Sequence, residues 1–360
     1  ASRTPPPTGT VLLTGATGFV GGHLLLDILK KTDYDILCLV RADSPAHAKE
    51  RIAWNLEKLG LPSVQTCRMT VLVADLSERW FGLPQKTFLL LSKSVSVIFH
   101  CAARVDLSLS YSALRQGNVM GTKHILELAG MRTESAMWVH FISTYGVFSK
   151  SSTGIVAEDM PLHSPAVLAN GYSKTKWVGE QVVAIAQKRG IPVSVYRLGQ
   201  MTGSLSKGVQ NLDDIFSRMW KGCLQLQCWP QMYHLEATPV DYASLAIVDL
   251  SKNCVSGAVF HLVNPSPLLA SDLYNFIDAV TVDELHVLPQ SDWLAELEKY
   301  PTNVLYSILP MLRRLIDLKL LGSPLHFDTR HVAAGLKDPE CVCPAIDEEL
   351  LKTYLSFYLR

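Results

Sequence analysis

Short apolar runs alternate with segments of helical period from Thr10 to about Met201. The predicted strands are Thr10–Thr14, Ile36–Val40, Thr70–Val73, Val95–His100, Met137–Ile142 and Val193–Arg197. The predicted helices lie near Val20–Lys31, Ala46–Leu59, Asn118–Ala129 and Tyr172–Lys188. Nearly continuous apolar strands that alternate with helices are typical of a parallel sheet covered on both faces. The pattern therefore predicts an α/β fold with a doubly wound parallel sheet.

Beyond about Met201 the alternation loosens, and tryptophan, proline and helical segments become more frequent. Helices are predicted at Leu212–Trp220, Leu294–Tyr300 and Tyr306–Leu320, and a strand near Ala258–Val263 is predicted to return to the sheet. We therefore expect a linker over residues 1–9 and a sheet domain over 10–202 with a returning segment near 236–265. A smaller, mostly helical C-terminal domain is expected over 203–360.

The composition is that of a globular protein. The 360 residues are 48% hydrophobic and 18% charged, with 33 Lys+Arg against 33 Asp+Glu, which excludes a disordered chain and gives no net charge to attract nucleic acid. The long apolar stretch Thr87–Val105 is interrupted by Lys93 and His100, so no membrane span is expected. Eight scattered cysteines without metal-ligand spacing indicate reduced thiols and a cytoplasmic location.

The N-terminus has a run of three prolines and lacks both an initiator Met and the apolar core of a signal peptide. We expect it to be an extended linker, and the chain to be a domain of a longer protein.

A glycine-rich turn, TGATGFVG over residues 14–21, follows the first predicted strand and opens the first helix. Gly15 and Gly18 would let the backbone approach a pyrophosphate, and Gly21 would let helix and strand pack closely. The helix N-terminus adds N–H groups and a positive dipole. We therefore expect a Rossmann-like dinucleotide site that includes Gly15, Thr17, Gly18, Phe19, Val20 and Gly21.

The ends of the next strands supply further candidates. Arg41 follows the second strand, at the position where NAD enzymes commonly place an acid, and Arg51 lies on the next helix. Arginines at these positions favour NADPH over NADH. We therefore expect the domain over 10–202 to bind NADP. Asp75, followed by Leu76, ends the third strand, where a carboxylate could accept from the adenine amino group. After the fourth strand, small residues could lie against the diphosphate and ribose: Cys101, Ala102 and Ala103. His100 is expected to be a core residue.

A YxxxK motif begins the helix near residue 172, which places Tyr172 and Lys176 on one helix face. The Lys176 ammonium is expected to lower the pKa of the phenol, so that Tyr172 can give a proton to a developing alkoxide, and it could also hold the nicotinamide ribose. The fifth strand ends with two hydroxyl residues at the edge where ligands bind in such sheets. Thr144 is preferred as the second donor, and Ser143 is the alternative.

The order and spacing of these motifs resemble the extended short-chain dehydrogenase/reductase family: TGATGFVG, ADL, HCAA, Asn118 in NVMGT, ST and YSKTK. More narrowly, residues 9–265 resemble the thioester reductase domains that end nonribosomal peptide and polyketide synthases and carboxylic acid reductases. The resemblance implies that NADPH reduces an acyl or peptidyl thioester on the phosphopantetheine of a carrier protein. The product would be an aldehyde, which some such domains reduce further to an alcohol. By the same resemblance, Asn118 would help to order the site.

Three alternatives remain open at this stage. The first is a reductase or epimerase of a free small molecule, which the C-terminal region disfavours because it lacks a basic cluster suited to a diphosphate. The second is a Dieckmann cyclase without redox chemistry, a class that typically has a damaged Tyr/Lys pair or cofactor turn. The third is a non-enzymatic dinucleotide sensor, which would not need Thr144, Tyr172 and Lys176 together.

Overall fold

A seven-stranded sheet forms the centre of the molecule. The structure is a computed structural model and describes residues 4–64, 67–132, 136–148, 154–281, 286–322 and 325–358. The strands are β1 Thr10–Thr14, β2 Asp35–Val40, β3 Met69–Val73, β4 Val95–His100, β5 Trp138–Thr144, β6 Val193–Leu198 and β7 Val259–Leu262. All neighbours pair in parallel, in the order β7-β6-β5-β4-β1-β2-β3. The predicted doubly wound α/β fold is therefore confirmed.

The helices of the described residues are α1 Phe19–Lys31, α2 Pro45–Lys58, α3 Gln85–Ser94, α4 Tyr111–Arg115, α5 Gly121–Gly130, α6 Gly171–Lys188, α7 Ile215–Leu226, α8 Val240–Asn253, α9 Ala270–Val280, α10 Gln290–Glu298, α11 Leu309–Asp317, α12 Arg330–Gly335 and α13 Glu348–Tyr358. A π-helical turn, Gln116–Met120, joins α4 to α5. Short strand pairs outside the main sheet are formed by Ile155–Val156 with His326–Phe327, Met201–Thr202 with Thr238–Pro239, Cys228–Pro230 with His286–Leu288, and His234–Leu235 with Leu268–Leu269.

Two hydrophobic clusters cover the two faces of the sheet. One includes residues of α1, α2 and α8, such as Leu25, Ile52 and Ile247. The other includes residues of α3, α5 and α6, such as Phe88 and Ile125. Burial of apolar surface on both sides explains why the strands are apolar throughout instead of alternating with polar residues.

A third hydrophobic cluster lies outside the sheet and is formed by helices of the C-terminal part. Its fully buried members include Trp220, Trp229 and Trp293. Two residues further along the chain, Val332 of α12 and Cys341, belong instead to the cluster of α1, α2 and α8 on the sheet. The division at residue 203 and the other domain boundaries stay predictions.

The proline-rich segment before β1 packs on the sheet domain, since Tyr34 donates a hydrogen bond from its hydroxyl to the carbonyl of Pro6. The predicted linker extends to residues 1–3, which lie outside the described residues. All eight cysteines are free. Among the described helices, none is both long and apolar enough to cross a membrane.

Candidate active site

A cleft of about 1140 Å³ opens along the edge of the sheet where the parallel strands end. Pairing aligns those ends, with Thr14 beside His100 and Thr144 beside Leu198. All residues predicted for the site line this cleft: Gly15, Thr17, Gly18, Phe19, Val20, Gly21, Arg41, Arg51, Asp75, Leu76, Cys101, Ala102, Ala103, Asn118, Ser143, Thr144, Tyr172 and Lys176. We call the part formed by β1–β4 and their loops the cofactor half, and the part formed by residues 210–327 the substrate half.

The glycine turn has the geometry that a pyrophosphate requires. Gly15 has a φ of +85°, and a Cβ there would lie 2.8 Å from the amide nitrogen of Ala102. A Cβ at Gly21 would overlap the carbonyl group of Gly15. Gly18 caps α1 without any side-chain hydrogen bond, so the first N–H groups of that helix are available to an anion. These residues fit the phosphates of a dinucleotide.

Asn55 supports the glycine turn from α2 and had no predicted role. Its side-chain amide donates to the carbonyls of Ala16 at 3.2 Å and Gly18 at 3.1 Å. The signal in the sequence was a polar residue on the face of α2 that also carries Ile52 and Leu56, both of which are buried. A polar residue on an apolar helix face requires a hydrogen-bond partner when buried.

His100 connects β1, β4 and α5 inside the core. Its Nδ1 lies 2.9 Å from the hydroxyl of Thr14, and its Nε2 lies 3.0 Å from the hydroxyl of Thr122. Burial lowers the pKa of His100 to about 3, with a further contribution from the charge of Lys176. The imidazole is therefore neutral and structural, as the sequence predicted.

The rim formed by the ends of β2 and β3 and by α2 carries a small group of charges. The guanidinium of Arg41 is 79% exposed and lies 4.0 Å from the carboxylate of Asp75, and Arg51 donates to the carbonyl of Arg41. One oxygen of Asp75 accepts from the backbone N–H and the hydroxyl of Ser77, at 2.9 and 2.7 Å. Two cations lie on one rim, Arg41 exposed and Arg51 half-buried, and together they can contact a phosphate group.

Lys176 is held at the end of β5. Its ammonium donates to the carbonyl of Ile142 and lies 4.3 Å from the centre of the Phe141 ring. Burial lowers the pKa of Lys176 to about 8, an effect that the neighbouring Cys101 and Glu180 partly oppose. The ammonium therefore remains the dominant form at neutral pH.

The prediction that the pKa of the Tyr172 phenol is lowered is wrong. Burial raises its pKa instead of lowering it, and the nearby Cys101 adds to the increase. The cause is desolvation of the phenolate by the elements packed around it. A protonated phenol is nevertheless the form that donates a proton during a reduction.

Thr144 and Ser143 have different environments at the end of β5. The hydroxyl of Ser143 is buried and donates to Glu180 at 2.5 Å, so its proton is already engaged. The hydroxyl of Thr144 accepts from the backbone N–H of Gly146 at 3.2 Å, which leaves its own proton free to donate into the cleft. This difference favours Thr144 over Ser143 as the second donor.

Asn118 is buried in the π-helical turn and joins two walls of the cleft. Its amide oxygen accepts from the backbone N–H of Arg104 at 2.8 Å, and its amide nitrogen donates to the hydroxyl of Thr175 at 3.0 Å. π-Helical turns of this kind occur frequently at functional sites. The contact fixes the loop after β4 against α6, the helix that carries Tyr172.

The substrate half combines apolar side chains with two partly buried acids. Phe216, Met219 and Met232 line it, whereas Trp220 and Trp229 of the same region are fully buried in the hydrophobic cluster outside the sheet. Asp214 and Glu236 also line this half, and burial raises the pKa of each to about 7. The sequence offered no signal for these two acids, because both depend on long-range packing.

Comparison with known proteins assigns the chain to a family. The NAD-binding family described as male sterility protein matches residues 13–247. The crystal structure of the terminal R domain from the myxalamid PKS-NRPS pathway is 35% identical, covers 99% of this chain and 93% of its own, and superposes with a TM-score of 0.91.

Two curated relatives match nearly the whole chain. A linear gramicidin synthase protein of Brevibacillus parabrevis is 34% identical over 99% of this chain and 7% of its own length. A glycine betaine reductase of Emericella nidulans is 33% identical over 96% of this chain and 28% of its own. The chain spans 36% or less of the length of each curated relative compared.

The chain therefore belongs to this NAD-binding family. It is an oxidoreductase of the extended short-chain dehydrogenase/reductase type that uses a nicotinamide dinucleotide. Within the family it belongs with the reductase (R) domains of peptide and polyketide synthases, as the predicted resemblance stated.

Proposed function

We propose that the protein uses NADPH to reduce an acyl or peptidyl thioester on a carrier protein and thereby releases an aldehyde. The observation that carries the proposal is the junction of the two halves of the cleft. There the Lys176 ammonium donates a hydrogen bond to the carbonyl of Ile142, which lies two positions before Thr144. Tyr172 lines the same cleft from α6. One helix and one strand end thus supply a proton donor, a second hydroxyl and a cation where cofactor and substrate would meet.

The preference for NADPH over NADH is supported by the rim of the cofactor half. Arg41 and Arg51 line the cleft beside each other, and no ion pair occupies Arg51 among the described contacts. Their guanidinium groups would neutralise the 2′-phosphate that distinguishes NADPH from NADH.

The residues of the site would act in the following way. A bound reduced nicotinamide supplies the hydride that forms the new C–H bond at the thioester carbon. Thr144 and Tyr172 donate hydrogen bonds to the carbonyl oxygen, which becomes negative as that bond forms. Tyr172 gives its proton to this oxygen, and Lys176 compensates the phenolate that remains. The resulting thiohemiacetal collapses by breaking its C–S bond, with the hydroxyl proton passing to the sulfur, and yields an aldehyde and the free thiol.

The proposed partner is an acyl or peptidyl carrier protein in the same multidomain synthase. Support comes from the short span of this chain relative to the curated relatives, one of which is part of a gramicidin synthase. The identity of the acyl group is left to experiment, although the apolar lining at Phe216, Met219 and Met232 suits a hydrocarbon chain. The cytoplasmic location expected from the free cysteines stays a prediction.

The test is consumption of NADPH, followed by absorbance, with an acyl thioester on phosphopantetheinyl carrier protein and with NADH in parallel. We expect NADPH to be oxidised faster than NADH and an aldehyde or alcohol to be found by mass spectrometry. Loss of the thioester without NADPH oxidation, together with a cyclised product, would support the Dieckmann alternative instead. Oxidation with free carbonyl compounds alone would support the small-molecule reductase.

A further inference from the structure

Glu180 lies on the same helix face as the two catalytic candidates of α6. Lys176 lies four positions after Tyr172, and Glu180 four positions after Lys176, and residues at this spacing are neighbours on an α-helix. The Glu180 side chain is only 6% exposed. It does not line the cleft, so it cannot be assigned a role in binding substrate.

The Glu180 carboxylate joins three elements through short contacts. It accepts from the hydroxyl of Ser143 at the end of β5 at 2.5 Å. On β6, Arg197 donates to it from Nη2 at 2.9 Å and from Nε at 3.2 Å to each oxygen. Ser143 directly precedes Thr144. Glu180 therefore ties the strand end that carries Thr144 to the helix that carries Tyr172 and Lys176.

The same carboxylate also affects the charge of Lys176. The titratable groups that interact with the ammonium are Glu180 from α6, His100 at the end of β4 and Cys101 in the loop that follows β4. Burial keeps the His100 imidazole neutral and raises the pKa of the Cys101 thiol to about 11, so neither is charged at neutral pH. Cys101 and Glu180 both raise the pKa of Lys176, and of these two Glu180 is the one held in an ion pair, with Arg197 at 2.9 Å.

We propose that Glu180 is a positioning residue for the reduction: it holds the Thr144 strand end against α6 and stabilises the Lys176 ammonium. The inference rests on the proposed roles of Thr144, Tyr172 and Lys176. It adds a residue that touches neither cofactor nor substrate and acts through the groups that do.

The variant Glu180→Gln keeps the size of the side chain and removes its charge. It also leaves the Arg197 guanidinium without the carboxylate that pairs with it. The loss of the negative charge and the unpaired positive charge of Arg197 both disfavour the ammonium form of Lys176. With octanoyl-pantetheine and NADPH, we expect kcat to fall roughly 10- to 100-fold, the scale of a slightly misplaced reacting group. The alkaline limb of the kcat/KM profile should move to lower pH by about one unit, and Glu180→Asp should restore its position.

The matched control is Glu158→Gln. Glu158 is equally buried and belongs to the same network, since its backbone carbonyl accepts from Arg197 at 3.2 Å. Its carboxylate, however, accepts from the backbone N–H groups of His261 on β7 and His331 on α12, at 2.9 and 2.6 Å. A general loss of stability would appear in both variants, whereas the change in the pH profile should appear only in Glu180→Gln.

A second readout does not depend on turnover. In the ligand-free protein with ¹³C-labelled lysine, the Cε signal that Lys176→Met removes can be followed through pH by NMR. We expect its midpoint to be lower in Glu180→Gln by about one unit and unchanged in Glu158→Gln. An unchanged midpoint, or an equal shift in both variants, would overturn the inference about charge.

The remaining outcomes separate this inference from the proposed function. If Tyr172→Phe and Lys176→Met retain full activity, the proposed active site is wrong. If they lose activity while Glu180→Gln keeps both the rate and the pH profile of the parent, only the role of Glu180 is wrong. Should Glu180→Gln fail to fold, Ser143→Ala tests the contact with the strand end. It should lower kcat without moving the alkaline limb, and an unchanged kcat would overturn the positioning role.

Discussion

The cofactor half and the substrate half of the cleft are built from different kinds of structure. In the cofactor half, backbone groups dominate: the turn at Gly15 and Gly21, and the open N-terminus of α1. In the substrate half, side chains from segments far apart in the chain dominate, such as Phe216, Met232 and Glu236. The comparison shows which chemistry a local motif can specify and which depends on tertiary packing.

The contrast has a physical basis. A turn that approaches a pyrophosphate needs glycines at fixed spacing, so a short stretch of sequence is enough to specify it. A pocket for an acyl chain needs only apolar volume, which many residue types can fill. We therefore expect substitutions in the cofactor half to have larger and more specific effects than those in the substrate half.

The largest effect is expected from Gly21→Ala. The new Cβ would meet the backbone of Gly15, which cannot move without opening the turn. NADPH affinity should fall by more than about 100-fold, measured by the fluorescence of the bound cofactor. Gly130→Ala is the control, because a Cβ there meets only the end of the Ile191 side chain, at 3.3 Å. Equal affinity in the two variants would remove the contrast between the halves.

The next effect concerns the junction of the halves. Tyr172→Phe and Thr144→Val should lower kcat by roughly 10²- to 10³-fold, because each removes a donor to the developing oxyanion. NADPH affinity should change little. Two controls match these variants: Thr144→Ser keeps a hydroxyl, and Tyr145→Phe removes a neighbouring phenol that lines the same cleft. If Tyr145→Phe proved more damaging than Tyr172→Phe, the assignment of the proton donor would be wrong.

A smaller effect is expected on the KM for NADPH but not on the KM for NADH. Arg41→Ala and Arg51→Ala should each raise KM for NADPH by roughly 10-fold, the scale of one charged hydrogen bond, and leave KM for NADH nearly unchanged. Arg79→Ala serves as the control, since that guanidinium stacks on Trp80, 4.4 Å from its ring, and does not line the cleft. Parallel changes with both cofactors would contradict the proposed phosphate contact.

The last expected effect is on stability instead of binding or rate, and it is a pH dependence that arises in the substrate half. Burial raises the pKa of Glu236 to about 7, so the protonated form is favoured in the folded protein. The stabilisation that this provides is present below the ordinary glutamate pKa and is lost as the pH rises through about 7. The glutamine of Glu236→Gln cannot ionise, so the variant does not lose this stabilisation as the pH rises. The unfolding free energy of the parent minus that of the variant should therefore fall by roughly 1–3 kcal/mol between pH 5 and pH 8.

Urea unfolding at the two pH values measures this difference. Asp213→Asn is the control, because that carboxylate is exposed, 3.8 Å from Arg218, and should show no comparable change. A deficit of Glu236→Gln that is the same at both pH values would show that the carboxylate does not gain a proton in the folded protein.

The sequence was sufficient where the physical cause is local. β1 and β4 have the predicted bounds, Thr10–Thr14 and Val95–His100, because a continuous apolar run bounded by polar residues suits a buried strand. By contrast, α3 at Gln85–Ser94 was not predicted, since it merges with β4 into one apolar stretch. Local pattern alone cannot separate an apolar helix from an adjoining buried strand.

The sequence was insufficient where burial or distant partners decide. The raised pKa of Tyr172 follows from desolvation by surrounding elements, which the YxxxK motif does not contain. Asn55 and Glu180 act through partners 37 or more residues away in sequence, the carbonyl of Gly18 and the hydroxyl of Ser143. Such contacts exist only after the sheet and its helices have assembled.

The central claim is that hydride is transferred to the carbon of a carrier-bound thioester, and isotope transfer tests it most directly. The chain would be given an acyl-phosphopantetheinyl carrier protein and NADPH deuterated at the transferable position of the nicotinamide, and the released product would be analysed by mass spectrometry. We expect one deuterium at the former thioester carbon of the aldehyde, and roughly 10²- to 10³-fold slower formation of this product with Tyr172→Phe. A released product without deuterium would contradict the account.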